Sequence, residues 1–316
     1  MKKNILIIGG SGFVGKHMCD YLSKKKNNKI VATYFYNKPK VMSKNIIYHK
    51  VDLRNEVDIK KIFKKYNFKI VLMLAGKIFN FNKTIPQHNN EKIFDNILLH
   101  TNALKYSINN NVNKYLWISS STGYPYIKSS KKFVESDFFK KNPPNSHFFS
   151  GEHSRFFEKI VQKISLKNNK TKIITIRPSE IFGEMYDFNN SNLHIIPYYI
   201  DKFFKNKVVN IEHNIHNKKN FIYVKELVEI IYRLVKKKSA TNSTYNVCDS
   251  KNYSLKYILR LLINKIKNKK ILIKPKYKKF QSVNRNFSNK KLIKFLNLRN
   301  ISSFDRGLIN MINYYK

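Results

Sequence analysis

Three glycines at three-residue spacing form the segment of the sequence that most directly indicates chemistry. Gly9, Gly12 and Gly15 follow the apolar run Ile5–Ile8 and precede an amphipathic stretch. Glycines in this arrangement permit a tight turn after a strand, let main-chain N–H groups approach a pyrophosphate, and allow close helix–strand packing. The N-terminus of the helix that follows faces the phosphate charge. The spacing therefore predicts a dinucleotide-binding loop, to which we also assign Ser11, Phe13 and Val14.

The end of the second predicted strand bears on which dinucleotide is bound. An acidic residue about 20 positions after the glycine loop usually marks NAD, because it binds the ribose 2′-hydroxyl. The stretch Ala32–Lys38 contains no carboxylate, and Lys38 or Lys40 is placed to pair with a 2′-phosphate. The alternative is that these lysines belong to the general lysine excess. The sequence favours NADP over NAD.

The first half of the chain alternates between strand and helix patterns. Apolar runs of strand type occur at Ile5–Ile8, Ile30–Tyr34, Ile46–Tyr48, Ile70–Leu74, Tyr115–Ile118 and Ile173–Ile176. Helical patterns lie between them at Val14–Lys25, Val57–Tyr66, Asn89–Ile108 and Ser154–Ile164. Continuous apolar strands alternating with helices predict an α/β fold with a doubly wound parallel sheet of the Rossmann type.

After Pro178 the pattern becomes irregular. Helices are predicted at Ile195–Phe204, Val224–Val235, Leu255–Ile266 and Phe304–Tyr314, and a strand at Thr244–Val247. We expect residues 1–178 to form the dinucleotide-binding domain, with 219–248 packing back on it. Residues 179–316 are then mainly a smaller C-terminal substrate-binding lobe.

The composition excludes several classes of protein. The formal charge of +43 comes from 54 lysines and only 8 arginines, beside 41 asparagines, all spread along the chain. These residues have A/T-rich codons, so a biased genome explains the charge without a nucleic-acid partner. No apolar run reaches the ~20 residues that a membrane-spanning helix needs. Cys19 and Cys248 make neither a disulfide framework nor a zinc site, and we expect a cytoplasmic protein with no metal and no membrane partner.

Seven segments, taken in order, resemble the extended short-chain dehydrogenase/reductase family, the NAD(P)-dependent epimerases and dehydratases of nucleotide sugars. The glycine spacing G-x-x-G-x-x-G is typical of that family. The other segments that are similar to its motifs are Asp52-Leu53, Leu74-Ala75-Gly76, Ile118–Pro125, Ile176–Gly183, Lys219–Glu226 and Tyr245–Val247. Ile176–Gly183 resembles the family pattern Arg-Pro-x-Asn-x-Tyr-Gly. The resemblance covers nearly the whole chain.

The resemblance implies a nucleotide-sugar substrate and assigns further residues to its binding and to that of the cofactor. Asp52 and Leu53 would contact the adenine. Cofactor contacts are also implied for Leu74, Ala75, Gly76 and Pro178, and substrate contacts for Tyr124 and Lys219. Family members often dimerise through two long helices, so a homodimer is expected. The apolar residues available for that interface are Ile93, Ile97, Leu98, Phe156, Phe157 and Ile160.

Hydride transfer in this family uses a Ser or Thr that holds the sugar oxygen, a Tyr that exchanges its proton, and a Lys that lowers the pKa of the Tyr. Ser120 occupies the Ser/Thr position. Alignment on Gly151 and Glu158 places Ser150 at the Tyr position and Ser154 at the Lys position. Neither serine can replace the original residue, and positioned acid–base catalysis contributes roughly 10²–10⁴-fold. His147, His153 and Arg155 lie nearby in the sequence and are the candidates for a substitute acid.

Within the family, Tyr124-Pro125 and the stretch Ser191–Pro197 most resemble the GDP-fucose synthases and their relatives, where a histidine before an Ile-Pro pair donates a proton to the sugar. His194 matches that histidine, but the partner cysteine of those enzymes falls at Thr122 here. We therefore expect an NAD(P)-dependent nucleotide-sugar epimerase or reductase of cell-surface polysaccharide biosynthesis. A non-catalytic dinucleotide-binding relative is the alternative, and an RNA-binding protein on the same fold is less favoured.

Overall fold

The computed structural model describes residues 3–25, 28–39, 42–77, 87–125, 131–167, 170–188, 194–211, 213–266, 270–273 and 286–316. Lys40 lies outside the described residues, as does the part of the chain just before His194. The strands are β1 (Lys3–Ile8), β2 (Asn28–Tyr34), β3 (Ile46–Lys50), β4 (Ile70–Met73), β5 (Lys114–Ile118), β6 (Lys172–Pro178), β7 (Glu180–Phe182), β8 (Val208–Ile211), β9 (Lys218–Lys219), β10 (Phe221–Tyr223), β11 (Ser243–Val247), β12 (Tyr253–Ser254) and β13 (Lys270–Ile273). The α-helices are α1 (Phe13–Ser23), α2 (Glu56–Lys65), α3 (Gln87–Asn109), α4 (Phe148–Lys167), α5 (Ile195–Lys205), α6 (Val224–Lys236), α7 (Leu255–Lys265), α8 (Lys290–Leu296) and α9 (Phe304–Tyr315).

Seven strands form the central sheet, in the order β11-β6-β5-β4-β1-β2-β3. All neighbouring strands in it are parallel. The strand order reverses next to β1, which is the point where doubly wound sheets bind dinucleotides. The α/β fold class with a doubly wound Rossmann-type sheet is confirmed.

Both faces of the sheet are covered, which explains the continuous apolar strands. Ile5 and Ile7 point to the face packed by α1 and α6. Leu6 and Ile8 point to the opposite face, where α2, α3 and α4 pack. Successive side chains of a strand alternate between faces, so a strand buried on both sides needs apolar residues at every position.

The third apolar cluster belongs to the C-terminal half of the chain. Helices α5, α7 and α9 pack there on three short strand pairs, β7 with β10, β8 with β13, and β9 with β12. These strands were not predicted, because two to four residues are too few to show periodicity. Helix α8, with seven residues, was not predicted either. Helix α4 begins at Phe148 rather than at the predicted Ser154, since Gly151 and the polar residues around it interrupt the apolar pattern.

Within the described part of the chain, no helix is both long and apolar enough to cross a membrane. The same residues hold no group of three or more histidines, cysteines, aspartates or glutamates suited to a metal ion. Cys19 and Cys248 are both free and buried.

Candidate functional site

The glycine loop between β1 and α1 is packed so tightly that side chains have no room. Gly9 has φ +86°, and a Cβ there would lie 2.8 Å from the Cβ of Ala75. A Cβ on Gly15 would lie 1.9 Å from the carbonyl oxygen of Gly9. The glycine at each end of the motif is therefore required by close contact between main chains, as the spacing predicts.

The first turn of α1 is free to bind an anion. Gly12 is the N-cap residue, no side chain caps it, and the first turn contains no acidic residue. Phe13 packs edge-on against His17 and Tyr186, with ring centroids 5.6 and 5.2 Å away. Main-chain N–H groups at a bare helix N-terminus suit the diphosphate of a dinucleotide. Ser11 and Val14 flank this turn and are half-buried.

The segment after β4 forms the floor beneath the loop. Leu74 donates its main-chain N–H to the carbonyl of Ile8 at 3.0 Å, so the ends of β4 and β1 lie side by side. The ring of His100 binds the carbonyl of Ala75 at 3.0 Å, and a Cβ on Gly76 would meet nothing closer than 3.7 Å. We call Gly9–Gly15 together with Ala75 and Gly76 the cofactor corner.

The predicted adenine contact, Asp52, is already engaged by an arginine. Arg54 donates from Nε to Asp52 Oδ1 at 2.9 Å and from Nη2 to Oδ2 at 2.8 Å. These hydrogen bonds hold the pKa of Asp52 below its usual value. Arg54 also pairs with Asp95 of α3 at 3.0 Å and lies 5.2 Å from the ring centre of Phe35. Leu53, beside them, is largely buried. Sequence reasoning missed Arg54.

Lys38, the predicted partner of a 2′-phosphate, is exposed just beyond the end of β2. It lines a shallow groove together with Tyr34 and Tyr48 along the β2–β3 edge of the sheet. Its ammonium is thus available to an anion at this edge. Pro178, a further predicted cofactor contact, is the buried last residue of β6.

The predicted catalytic hydroxyls meet at the carboxyl end of β5. Ser120 and Thr122 lie 2.8 Å apart between their hydroxyl oxygens, and Ser120 also accepts the main-chain N–H of Thr122. A Cβ on Gly151 would lie 3.0 Å from the carbonyl of Thr122, so the first turn of α4 packs directly on this turn. Ser150 donates to the carbonyl of His147, and Ser154 donates to the carbonyl of Ser150 at 2.8 Å. The hydroxyl of Ser154 is therefore used within its own helix.

Two of the three substitute acids are excluded by their surroundings. His153 is buried and contacts the ring of His100 at 3.3 Å, away from Ser120. Arg155 is buried and donates to the carbonyls of Gly123 and Phe138. Both side chains hold structure together. His147, just before α4, is half-buried and stays a candidate acid.

Tyr124, the predicted substrate contact, is engaged within the protein in this structure, and its contact with the substrate stays a prediction. Its side chain is completely buried, and its hydroxyl donates to Asn246 at 2.6 Å and accepts from Arg177 at 2.9 Å. Arg177 in turn makes a bidentate ion pair with Glu158 of α4, whose side chain is 1% exposed. Tyr124 thus belongs to a buried polar network beneath the catalytic turn.

A cluster of charged and titratable groups faces the same edge from four segments. Glu180 accepts a hydrogen bond from Lys219 at 2.6 Å. His194, the N-cap residue of α5, and His147 both lie close enough to lower the pKa of this carboxyl. We call Glu180, Lys219, His194 and His147, with Ser120, the substrate corner.

Glu180 was not singled out from the sequence, although one signal was present. In the segment Ile176–Gly183 it stands where the family pattern has an asparagine. A charge in place of a neutral amide, in a motif that keeps its Arg, Pro and Gly, marks a position whose chemistry differs. A pair 39 residues apart, Glu180 with Lys219, has no local signature that would have revealed it.

Comparison with known proteins agrees with this geometry. The model of the NAD dependent epimerase/dehydratase family matches residues 5–248. A GDP-6-deoxy-D-talose 4-dehydrogenase of Aggregatibacter actinomycetemcomitans is 25% identical, covering 82% of this chain and 78% of that protein. A dTDP-4-dehydro-6-deoxyglucose reductase of Escherichia coli is 24% identical, covering 86% of this chain and 84% of that protein.

Solved structures share the fold over the whole chain. A UDP-N-acetylglucosamine 4-epimerase from Methanobrevibacter ruminantium, in complex with UDP-N-acetylmuramic acid, superposes with a TM-score of 0.84. The two sequences are 19% identical, with 100% of this chain and 99% of that chain covered. A UDP-glucose 4-epimerase of Thermus thermophilus, in complex with NAD, gives a TM-score of 0.81 at 16% identity, covering 99% of this chain and 98% of that chain.

Proposed function

Because the chain belongs to the NAD dependent epimerase/dehydratase family, we propose that it is an NAD(P)-dependent enzyme that reduces or epimerises a nucleotide sugar. The observation that carries the proposal is the cofactor corner, where a Cβ on Gly15 would lie 1.9 Å from the carbonyl oxygen of Gly9. Such packing, next to an uncapped helix N-terminus, suits a dinucleotide diphosphate. The bound dinucleotide supplies the hydride chemistry.

The residues of the chain bind and orient the sugar. Ser120 presents a hydroxyl at the carboxyl end of β5, held in place by Thr122, and is the anchor for a sugar oxygen. Lys219 is the cation for the substrate diphosphate. His194 begins α5 at the same edge and is the proposed proton donor. With Ser150 and Ser154 at the positions of the usual Tyr and Lys, we expect a turnover reduced by roughly 10²–10⁴-fold relative to an enzyme that retains the pair.

For the cofactor we propose NADP rather than NAD. The end of β2 carries no carboxylate that would repel a 2′-phosphate, and Lys38 is exposed there.

The two relatives described above act on deoxy-sugar nucleotides, by their names. This supports a place for the protein in cell-surface polysaccharide biosynthesis.

We further propose a homodimer through α3 and α4. Phe94 and Leu98 of α3 are 66% and 47% exposed, and Phe156 of α4 is 50% exposed. Contiguous apolar exposure of this kind favours association. Phe157 is not part of that surface, because it is 1% exposed and packs on Trp117. Light scattering of the purified protein tests the dimer.

Activity is tested by incubating the protein with NADPH or NADH and a panel of GDP-, UDP- and dTDP-linked 4-keto sugars. The absorbance of the reduced nicotinamide is followed, and products are separated to detect epimerisation. We expect slow oxidation of NADPH with at least one sugar, lost in Ser120→Ala. Cofactor binding without turnover of any substrate would instead support a non-catalytic relative.

A further inference from the structure

The two oxygens of Glu180 are in different situations. Oε1 accepts from the ammonium of Lys219 at 2.6 Å. Oε2 is inaccessible to solvent and has no hydrogen-bond partner among the described residues. A buried carboxylate oxygen without a donor is costly, so this anion depends on its one cation.

The charges around Glu180 also show that its carboxylate form depends on nearby cations. Burial alone raises the pKa of the Glu180 carboxyl, but the neighbouring Lys219, His194 and His147 together lower it by more, so that the pKa lies below its usual value. The groups that face it come from four elements: Lys219 from β9, His194 from the start of α5, His147 from the turn before α4, and Tyr186 from the segment after β7. Lys219 makes the direct contact.

A substrate diphosphate would compete for this cation. Lys219 is the residue proposed to bind the diphosphate, which carries more charge than a carboxylate and binds ammonium groups strongly. If Lys219 turns to the phosphate, Glu180 loses its partner and gains an anionic neighbour. Burial and like-charge repulsion then both favour the neutral acid.

We propose that Glu180 takes up a proton when the diphosphate of a nucleotide sugar displaces it from Lys219. The proposal rests on the proposed function. A protonated carboxyl gains an O–H donor that the carboxylate lacks, and it can give that donor to a phosphate or sugar oxygen. The replacement of a neutral amide by Glu180 thus makes substrate binding dependent on a proton.

Glu184, four residues after Glu180 and just beyond β7, provides a matched control. It forms an ion pair with Lys225 at 2.7 Å, as Glu180 does with Lys219. However, Tyr223 donates to both of its oxygens, at 2.9 and 3.0 Å. Glu184 is therefore satisfied independently of an incoming anion, and no proton uptake is expected from it.

The experiment measures proton uptake in a weakly buffered solution with a pH indicator. The full chain at about pH 7 is saturated in turn with UDP, GDP and dTDP, and the wild type is compared with E180Q and E184Q. Binding is followed in parallel by calorimetry. His194 and His147 are present in every variant, so the difference between wild type and E180Q isolates Glu180.

We expect the wild type and E184Q to take up about half a proton to one proton more than E180Q for each nucleotide bound. The affinity of the wild type should fall by up to about tenfold per pH unit at high pH. The affinity of E180Q should depend less on pH and be at least as high in mild alkali, because Lys219 has no competitor. If E180Q does not fold, Glu180→Asn makes the same comparison, because it places the amide of the family pattern at this position and leaves Lys219 in place.

The outcomes separate this inference from the function on which it rests. Nucleotide binding with equal proton uptake by wild type and E180Q overturns the inference and leaves the proposed function standing. A large loss of affinity in E180Q also overturns it, because the pair would then be required intact. Failure of all three nucleotides to bind overturns both.

Discussion

The cofactor corner and the substrate corner lie at one edge of the sheet but are built by different means. The cofactor corner consists of main chain, held by contacts such as that of Gly15 with Gly9. The substrate corner consists of charged side chains from distant segments, with Glu180 and Lys219 as its central pair. Substitutions in the tightly packed main chain of the cofactor corner are hardly tolerated, so its ligand is fixed. The side chains of an ion pair can be replaced one residue at a time, so the chemistry of the substrate corner can change.

Damage to the buried polar network beneath the catalytic turn should have the largest effect. Arg177 and Glu158 are 2% and 1% exposed, and Ser119, next to Ser120, donates to Glu158 at 2.5 Å. In Glu158→Gln the guanidinium keeps a buried charge without its partner, so we expect unfolding to become easier by about 3–5 kcal/mol. Urea denaturation measures the change.

The matched control is Glu152→Gln in the same helix, because Glu152 is 41% exposed and lies 3.8 Å from Arg155. An exposed pair of this kind contributes about 0–1 kcal/mol. Equal losses in the two variants would contradict the role given to the buried pair.

Acid should weaken the support beneath the cofactor corner. Burial, and next the charge of His153, lower the pKa of His100 to about 3. Burial lowers the pKa of His153 to about 4. Unfolded histidines titrate near 6.5, so the unfolded chain binds more protons and stability falls as the pH drops below about 6.5. The expected loss is about 2 kcal/mol for each histidine between about pH 7.5 and 5.

Urea denaturation at several pH values above about 4.5 tests this, before most carboxylates titrate. The buried His17, whose pKa burial also lowers, acts in the same direction. A stability that does not change with pH over this range would show that the histidine pair is charged or open to solvent in the folded protein.

A methyl group placed in the glycine loop should affect the cofactor corner alone. In Gly15→Ala the main chain has to move, because the new Cβ would lie 1.9 Å from the Gly9 oxygen. We expect a loss of about 1–3 kcal/mol in stability and a loss of NAD(P)H binding. The stability control is Gly76→Ala, whose Cβ would have only ordinary contacts, at 3.7 and 3.9 Å. If Gly15→Ala melts with the control and binds cofactor normally, the tight loop is not needed.

The smallest effect on stability is expected in the substrate corner. The side chains of Glu180 and Lys219 are 27% and 39% exposed, so their pair itself contributes little. Because Glu180→Gln also removes the cost of the buried, donorless carboxylate oxygen, the free energy of unfolding should change by less than about 1 kcal/mol. Thermal denaturation without ligand is the measurement. A larger loss would mean that the pair holds the fold together rather than serving the ligand.

The difference between the corners also explains what the sequence could predict. Gly9, Gly12 and Gly15 lie close together in the chain, so their spacing alone indicates the turn, the bare helix end and the close packing. The proximity of Ser120 and Thr122 could be predicted for the same reason, because they are neighbours after an apolar strand, and their catalytic roles stay predictions. Periodicity located the long elements of the sheet to within a few residues.

The remaining features depend on contacts between distant segments. Tyr124 was expected at the substrate, and nothing in its own segment shows that Asn246 and Arg177 take up its hydroxyl. His153 was a candidate acid in the sequence, which could not show that His100 of α3 contacts its ring. Asp52 was expected to contact adenine, and its sequence position gives no sign that Arg54 binds both of its oxygens.

Titration of the purified protein with NADPH and NADH, followed by nicotinamide fluorescence, tests the central claim most directly. We predict saturable binding of reduced dinucleotide at micromolar concentration, tighter for NADPH, and abolished in Gly15→Ala under conditions where that variant is folded. No binding of either dinucleotide by the wild type at millimolar concentration would contradict the account.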